Sequence, residues 1–141
     1  MRTADGNKLS LYFLYSSPPF SNEDLQALEE TTRTIATASK LCDAQGTRLV
    51  FVFIPTKFRV YRSFCQFPRE SECSTWVLND LPERLKKAVE AISPRAEYLD
   101  LTPNLVNAVG KGITLYYSDD DHWTPAGQEI AAEAANNYLN R

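Results

Sequence analysis

The chain is poor in the side chains that most site chemistry depends on: it has one histidine and three cysteines in 141 residues. None of the cysteines stands at metal-ligand spacing from another cysteine or from that histidine, so no metal pattern is written in the sequence. Long apolar runs are also missing. The longest, Leu49 to Pro55, is strand-sized, far short of the roughly 18 to 20 residues that span a bilayer. The first six residues, Met1-Arg2-Thr3-Ala4-Asp5-Gly6, lack the continuous apolar region of a signal peptide. Positive charge is in the minority, with 15 Lys and Arg against 18 Asp and Glu and a net charge of -3. Non-specific nucleic-acid binding needs a basic stripe that releases counterions. The densest basic cluster here, Arg84, Lys86 and Lys87, fits the solvated face of a helix, and nucleic acid is set aside.

What is present is globular. The chain is 43% hydrophobic and 23% charged, without repeats or low-complexity stretches, and 141 residues make one ordinary domain with a real core. Leu9 to Ser16 is an apolar, aromatic run that reads as a buried strand, ended by Pro18 and Pro19. Ser21 with Asp24 three residues on forms an acidic capping box. Leu25, Leu28, Thr32, Ile35, Ala38 and Leu41 follow at helical spacing, which predicts a helix to about Ala44 with Gly46 as its stop. Arg48 to Ile54 is a continuous β-branched and aromatic run, the mark of a strand buried on both faces of a parallel sheet. Residues 56–75 read as a long polar connection. A second amphipathic helix carries Leu81, Leu85, Ala88, Val89 and Ile92. A short strand at Tyr98 to Leu101 and a brief helix from Thr102-Pro103 come next. Ile113 to Tyr117 is a short edge or approach segment. Thr124-Pro125 then opens a last helix with Ile130, Ala131, Ala134, Ala135 and Tyr138 on one face. Alternation of this kind predicts an α/β fold, a parallel sheet with helices on both faces. Ligands then gather at the carboxyl ends of the strands.

The most informative stretch is Tyr116-Tyr117-Ser118-Asp119-Asp120-Asp121-His122-Trp123-Thr124-Pro125-Ala126-Gly127. It holds the only histidine, three carboxylates and a helix start. A histidine serves as general base best when a carboxylate fixes its tautomer and stabilises the imidazolium. Residues i and i+2 meet around one turn, so Asp120 is within reach of His122 Nδ1. The plain alternative is a solvated acidic loop beside a helix. A cation site on the three aspartates is a lesser option, because the alternate spacing and glycine turn of such loops are missing.

This block resembles a known family. Leu115-Tyr116-Tyr117-x-x-Asp120-x-His122-Trp123-Thr124-Pro125-Ala126-Gly127, followed by an Ala-rich helix, is similar to the C-terminal Asp–His block of SGNH/GDSL-type hydrolases. It is also similar to the Asp-x-His-Trp block of the related alginate O-acetyltransferase-like proteins. Val52-Phe53-Ile54-Pro55-Thr56-Lys57 and Tyr98-Leu99-Asp100-Leu101-Thr102-Pro103 resemble segments of the longer members. The resemblance covers most of the chain from about Gly46, and it implies that His122 is the general base. The Asp-x-His spacing selects Asp120 as its orienter. Compact members with Asp-x-x-His would select Asp119, and Asp121 is left as a bystander.

The chain departs from that family in the blocks that name it. It contains no Gly-Asp-Ser nucleophile turn, oxyanion glycine or Asn-Asp loop of the usual kind, since Asn79-Asp80 precedes a helix. Acyl transfer needs an activated nucleophile and N–H donors for the oxyanion. Ser16 and Ser17 end a strand where a nucleophile would sit, but Pro18 and Pro19 remove the donors and no glycine permits a tight elbow. A strand running into a turn is the better reading of that pair. The expectation is therefore a single domain over residues 1–141. It is the C-terminal part of a three-layer parallel sheet of SGNH or flavodoxin-like type, incomplete here, with the serine upstream.

By resemblance the chain acts in acyl-ester chemistry on a carbohydrate or lipid, as an esterase or O-acyltransferase, with no organic cofactor or metal. The competing reading is a non-catalytic SGNH-like domain that binds a glycan or a protein partner. Lys57, Arg59, Tyr61 and Arg62 follow a strand end and form either contacts to an anionic or sugar substrate or a solvated basic loop. Trp123 and Trp76 are pocket walls or packing anchors. Cys65 and Cys73 are disulfide candidates, with Cys42 left over. A disulfide would place the chain in the periplasm or outside the cell, against three free thiols in the cytoplasm. As nucleophiles the two cysteines have nothing beside them to lower a thiol pKa. An incomplete sheet leaves an apolar edge, which favours a homodimer or an upstream domain that completes the fold.

Overall fold

The structure, a computed structural model, describes residues 8–15 and 17–141. The chain divides into two compact units, each assembled from separated segments. One comprises the stretch ending at Ser17 together with Ile54–Leu78 and Leu101–Arg141; the other comprises Pro18–Phe53 and Asn79–Asp100.

The second unit is a minimal α/β assembly. Helix α1, Asn22–Ala44, begins as the capping box requires. Ser21 Oγ accepts the Asp24 N–H at 3.1 Å, and the Asp24 carboxylate accepts the Ser21 N–H at 2.8 Å. Gly46 follows with φ of 65°, the left-handed turn that glycine takes without strain. Strands β1, Leu49–Phe53, and β2, Ala96–Asp100, pair in parallel with Leu49 opposite Ala96 and Phe53 opposite Asp100. Helix α3, Leu81–Ile92, lies between them in sequence, with proline in its first turn. Ile35 of α1, Val89 of α3 and Ala96 of β2 make the core, and Phe51, Ile92 and Tyr98 pack against it. The Phe51 and Tyr98 rings stack at 6.1 Å across the strand pair.

Two expectations for strands are corrected here. Burial of β1 on both faces is not observed, because Val52 is 38% exposed and the sheet has two strands among the described residues. A two-stranded sheet covered by α1 and α3 protects one face of alternating side chains. Leu9 to Tyr15 belongs to no strand among the described residues. Leu9, Leu11 and Phe13 are half-buried, while Tyr12, Leu14 and Tyr15 are exposed. Its N–H groups find other acceptors: Tyr12 donates to the Ser118 carbonyl at 2.7 Å and Leu14 to the Asp121 carboxylate at 3.2 Å.

The first unit is helical. Helix α2, Lys57–Tyr61, packs on α4, Thr102–Gly110, which packs on α5, Pro125–Leu139. Phe58, Val60, Leu105, Val109, Leu115 and Ala131 are among its buried apolar residues. The connection over residues 56–75 is thus more ordered than its polarity suggests. It opens with α2, capped by Thr56, and continues through single 3₁₀ turns at Arg62–Phe64 and Glu72–Ser74.

Candidate functional site

The loop between Tyr116 and Trp123 is folded as a tight hairpin. Tyr116 and Trp123 form an antiparallel bridge, and the Tyr117 N–H donates to the His122 carbonyl at 3.1 Å. On its far side the chain enters α5. Thr124 is the N-cap: its Oγ1 accepts the Gly127 N–H at 3.2 Å and donates to the Thr114 carbonyl at 2.8 Å. The Thr124 N–H donates to the Leu115 carbonyl at 2.9 Å. Short-range turn chemistry therefore fixes where the loop begins and ends.

Within this loop Asp120 is the carboxylate that meets the imidazole. Its Oδ1 accepts the backbone N–H of His122 at 2.7 Å and lies 2.5 Å from His122 Nδ1. The backbone N–H of His122, and after it the imidazole, hold the Asp120 carboxyl below the usual carboxylate range. With Nδ1 at the carboxylate, Nε2 is on the opposite side of the ring, and the His122 side chain is 86% exposed. That is the orientation a general base requires. Asp119 is exposed, and the carboxylate paired with His122 is that of Asp120.

A cavity of about 430 Å³ opens beside the imidazole, lined by Tyr15, Ile54, Tyr116, Asp121, His122 and Trp123 among others. Trp123, one of the expected substrate contacts, is on its wall. Two others are not available as expected. Tyr61 is fully buried and outside the cavity lining. Its hydroxyl accepts the Leu115 N–H at 2.8 Å, and burial pushes its pKa up. Lys57 borders the cavity but is 1% exposed. All three of its N–H groups go to backbone carbonyls, of Tyr117 at 2.7 Å, Ser118 at 3.1 Å and Asp120 at 2.9 Å. These acceptors hold it inward, so it has no donor left for a substrate.

Asp121, read from the sequence as a bystander, is the carboxylate of this buried arrangement. Its Oδ1 lies 3.9 Å from Lys57 Nζ and is buried without a hydrogen-bond partner among the described residues. Its other oxygen accepts from Leu14. A sequence signal existed only in hindsight, in the third aspartate of a run.

The remaining candidates fall elsewhere. Ser16 lies outside the described residues. The Ser17 hydroxyl is engaged by the Val77 carbonyl at 2.6 Å. Arg62 stacks over Phe67 at 5.0 Å, and Trp76 packs edge-on against Phe58 at 5.1 Å, an anchor rather than a wall. Cys65 and Cys73 border one second cavity. The disulfide expected between them is not formed; both are free thiols, and burial raises the Cys65 pKa so that it stays protonated. Among the described residues no three His, Cys, Asp or Glu side chains gather to hold a metal, and no helix is long and apolar enough to cross a membrane.

The family model for an SGNH hydrolase-like domain, acetyltransferase AlgX, matches residues 13–141. A protein of Pseudomonas fluorescens described as a probable alginate O-acetylase AlgJ is 31% identical over 125 residues, covering 86% of this chain and 30% of the relative. A protein of Pseudomonas putida with the same description is 26% identical over 116 residues, covering 82% of this chain and 28% of the relative. The chain thus spans under a third of the length of these relatives. No solved structure matches it.

Proposed function

The chain belongs to the family of SGNH hydrolase-like domains of the acetyltransferase AlgX, and on that premise we propose that it carries the Asp–His half of an O-acyltransfer site acting on a carbohydrate. The observation that carries this reading is the Asp120–His122 pair, with Nδ1 at the carboxylate and an exposed ring on the wall of a cavity. His122 would take the proton from a serine hydroxyl and return it to the leaving group, and Asp120 would hold the tautomer and stabilise the imidazolium. Trp123 and Tyr15 would face a sugar ring in the 430 Å³ cavity. The probable alginate O-acetylases among its relatives support a uronic-acid polymer as acceptor and an acetyl ester as product.

The nucleophile would come from outside these 141 residues. Among the described residues no serine lines the cavity, and Ser17 is bonded elsewhere. The three-layer sheet of the SGNH type would need further strands beside β1 and β2, supplied by a longer chain or by a second copy.

Labelling with a serine-reactive fluorophosphonate tests this division. The whole natural gene product should label, and its His122→Ala variant should label at least about 10²-fold more slowly, the usual contribution of a general base. The 141 residues alone should not label. His122-dependent labelling of the isolated chain would place the serine within it and overturn the split site. No labelling of the whole product would favour a domain that binds a glycan without chemistry.

A further inference from the structure

Lysine is seldom fully buried unless its charge is met, and Lys57 is among the most deeply buried side chains of the molecule. An ammonium has three N–H donors and no acceptor. Here three backbone oxygens receive three donors, so the count closes. The acceptors are Tyr117, Ser118 and Asp120, all in the turn that precedes His122. The Asp121 carboxylate at 3.9 Å supplies opposite charge, and the Phe13 ring lies 5.7 Å from Nζ. Burial lowers the lysine pKa, and Asp121, then Asp119 and Asp120, work against that shift.

The ends of the loop are fixed by the Tyr116–Trp123 bridge and the Tyr117–His122 backbone bond; the lysine acts on the turn between them. The side chains of Asp120 and His122 are 50% and 86% exposed, so burial contributes little to their placement. Three carbonyls that converge on a space closed to water need a donor there; without one they must turn outward to be hydrated. One of the three belongs to Asp120, whose Oδ1 orients the imidazole, so a rotation of that peptide moves the carboxylate with it. We propose that Lys57 is a positioning residue: its ammonium is the hub around which the Tyr117–Asp120 turn folds, and through that turn it sets the geometry of the Asp120–His122 pair. The role rests on the reading of that pair as a general base.

The single histidine makes the test direct, because its ring nitrogens give unambiguous ¹⁵N signals. At a pH well above the ordinary imidazole range, the unmodified ring should favour the Nδ1–H tautomer about tenfold, as a hydrogen bond to a carboxylate allows. In Lys57→Met that preference should collapse toward an unpaired mixture. Leu105→Ala, a cavity in the helical core, should lower the melting temperature and leave the tautomer unchanged. Lys57→Ala should regain the preference when propylammonium is added. A folded Lys57→Met protein that keeps the tenfold preference would overturn the hub.

If neither Lys57 variant folds, the unmodified chain still decides. The Lys57 Nζ–H signals should be protected from exchange and coupled across hydrogen bonds to the carbonyl carbons of Tyr117, Ser118 and Asp120; their absence overturns the proposal. Couplings present beside a ring with no tautomer preference would instead sink the general-base reading, which separates the two failures.

Discussion

A β-carbon built on Gly127 would lie 2.2 Å from the Leu115 carbonyl oxygen and 3.1 Å from the Trp123 Cβ, so the first turn of α5 can pass the His122 loop only with a hydrogen there. Thr124 works at the same junction, capping the helix with its acceptor and tying down Thr114 with its donor. Gly127→Ala should therefore cost about 2 to 3 kcal/mol through forced backbone movement, and Thr124→Ala about 1 to 2 kcal/mol. Urea denaturation of the 141-residue chain measures both; a Gly127→Ala protein as stable as the parent would contradict the packing described. The residues around His122 differ in how readable they are. Asp120 is legible because an i, i+2 contact is local geometry. Lys57 is not: a lysine after a strand end reads as solvated, and only the folded loop collects three carbonyls around it.

At the level of elements, the sequence announces those whose signals are local and repeated. Helix α1 follows from Ser21, Asp24 and an apolar spacing sustained to Leu41; α5 follows from Thr124-Pro125 and its alanines. Both are found where those residues place them. Helix α2 was hidden because five residues carry no periodicity, and its cap, Thr56, follows a proline that reads as the end of a strand. The segment at Leu9 shows the opposite failure. Aromatic and β-favouring residues predict a strand, yet strand formation depends on a partner of the right register, and its N–H groups bond instead to Ser118 and Asp121. Double-sided burial of β1 failed for a related reason, since a sequence run cannot reveal how many strands or layers surround it.

Charge and burial over the whole molecule set its pH limits. Tyr116 is 2% exposed and burial pushes its pKa up to about 12; Tyr61 is raised in the same direction. A phenol whose folded pKa lies above its unfolded value near 10 gives full stability below that value, and stability falls as pH rises toward the folded pKa. The Tyr61 and Tyr116 phenolates should thus appear last in an alkaline absorbance titration, together with loss of helical circular dichroism. Ionisation of Tyr61 and Tyr116 near pH 10 with the fold intact would contradict the buried arrangement. At the acid end the sign reverses: Asp24, Asp80 and Asp120 are held low by Ser21, Arg84 and His122 respectively. Their contribution is present above about pH 4 and is lost as pH falls through the folded values.

The central claim is that Asp120 and His122 form the base of an acyl-transfer site. It is tested most directly by following transfer of acetyl groups from a chromogenic ester to an oligouronate, by mass spectrometry, with the whole natural gene product and three variants. His122→Ala and Asp120→Asn should each lower the rate by about 10²- to 10⁴-fold, while Asp119→Asn should stay within about twofold, as expected of a solvated surface charge. Full transfer by Asp120→Asn, or a loss in Asp119→Asn as deep as that in His122→Ala, would contradict the account.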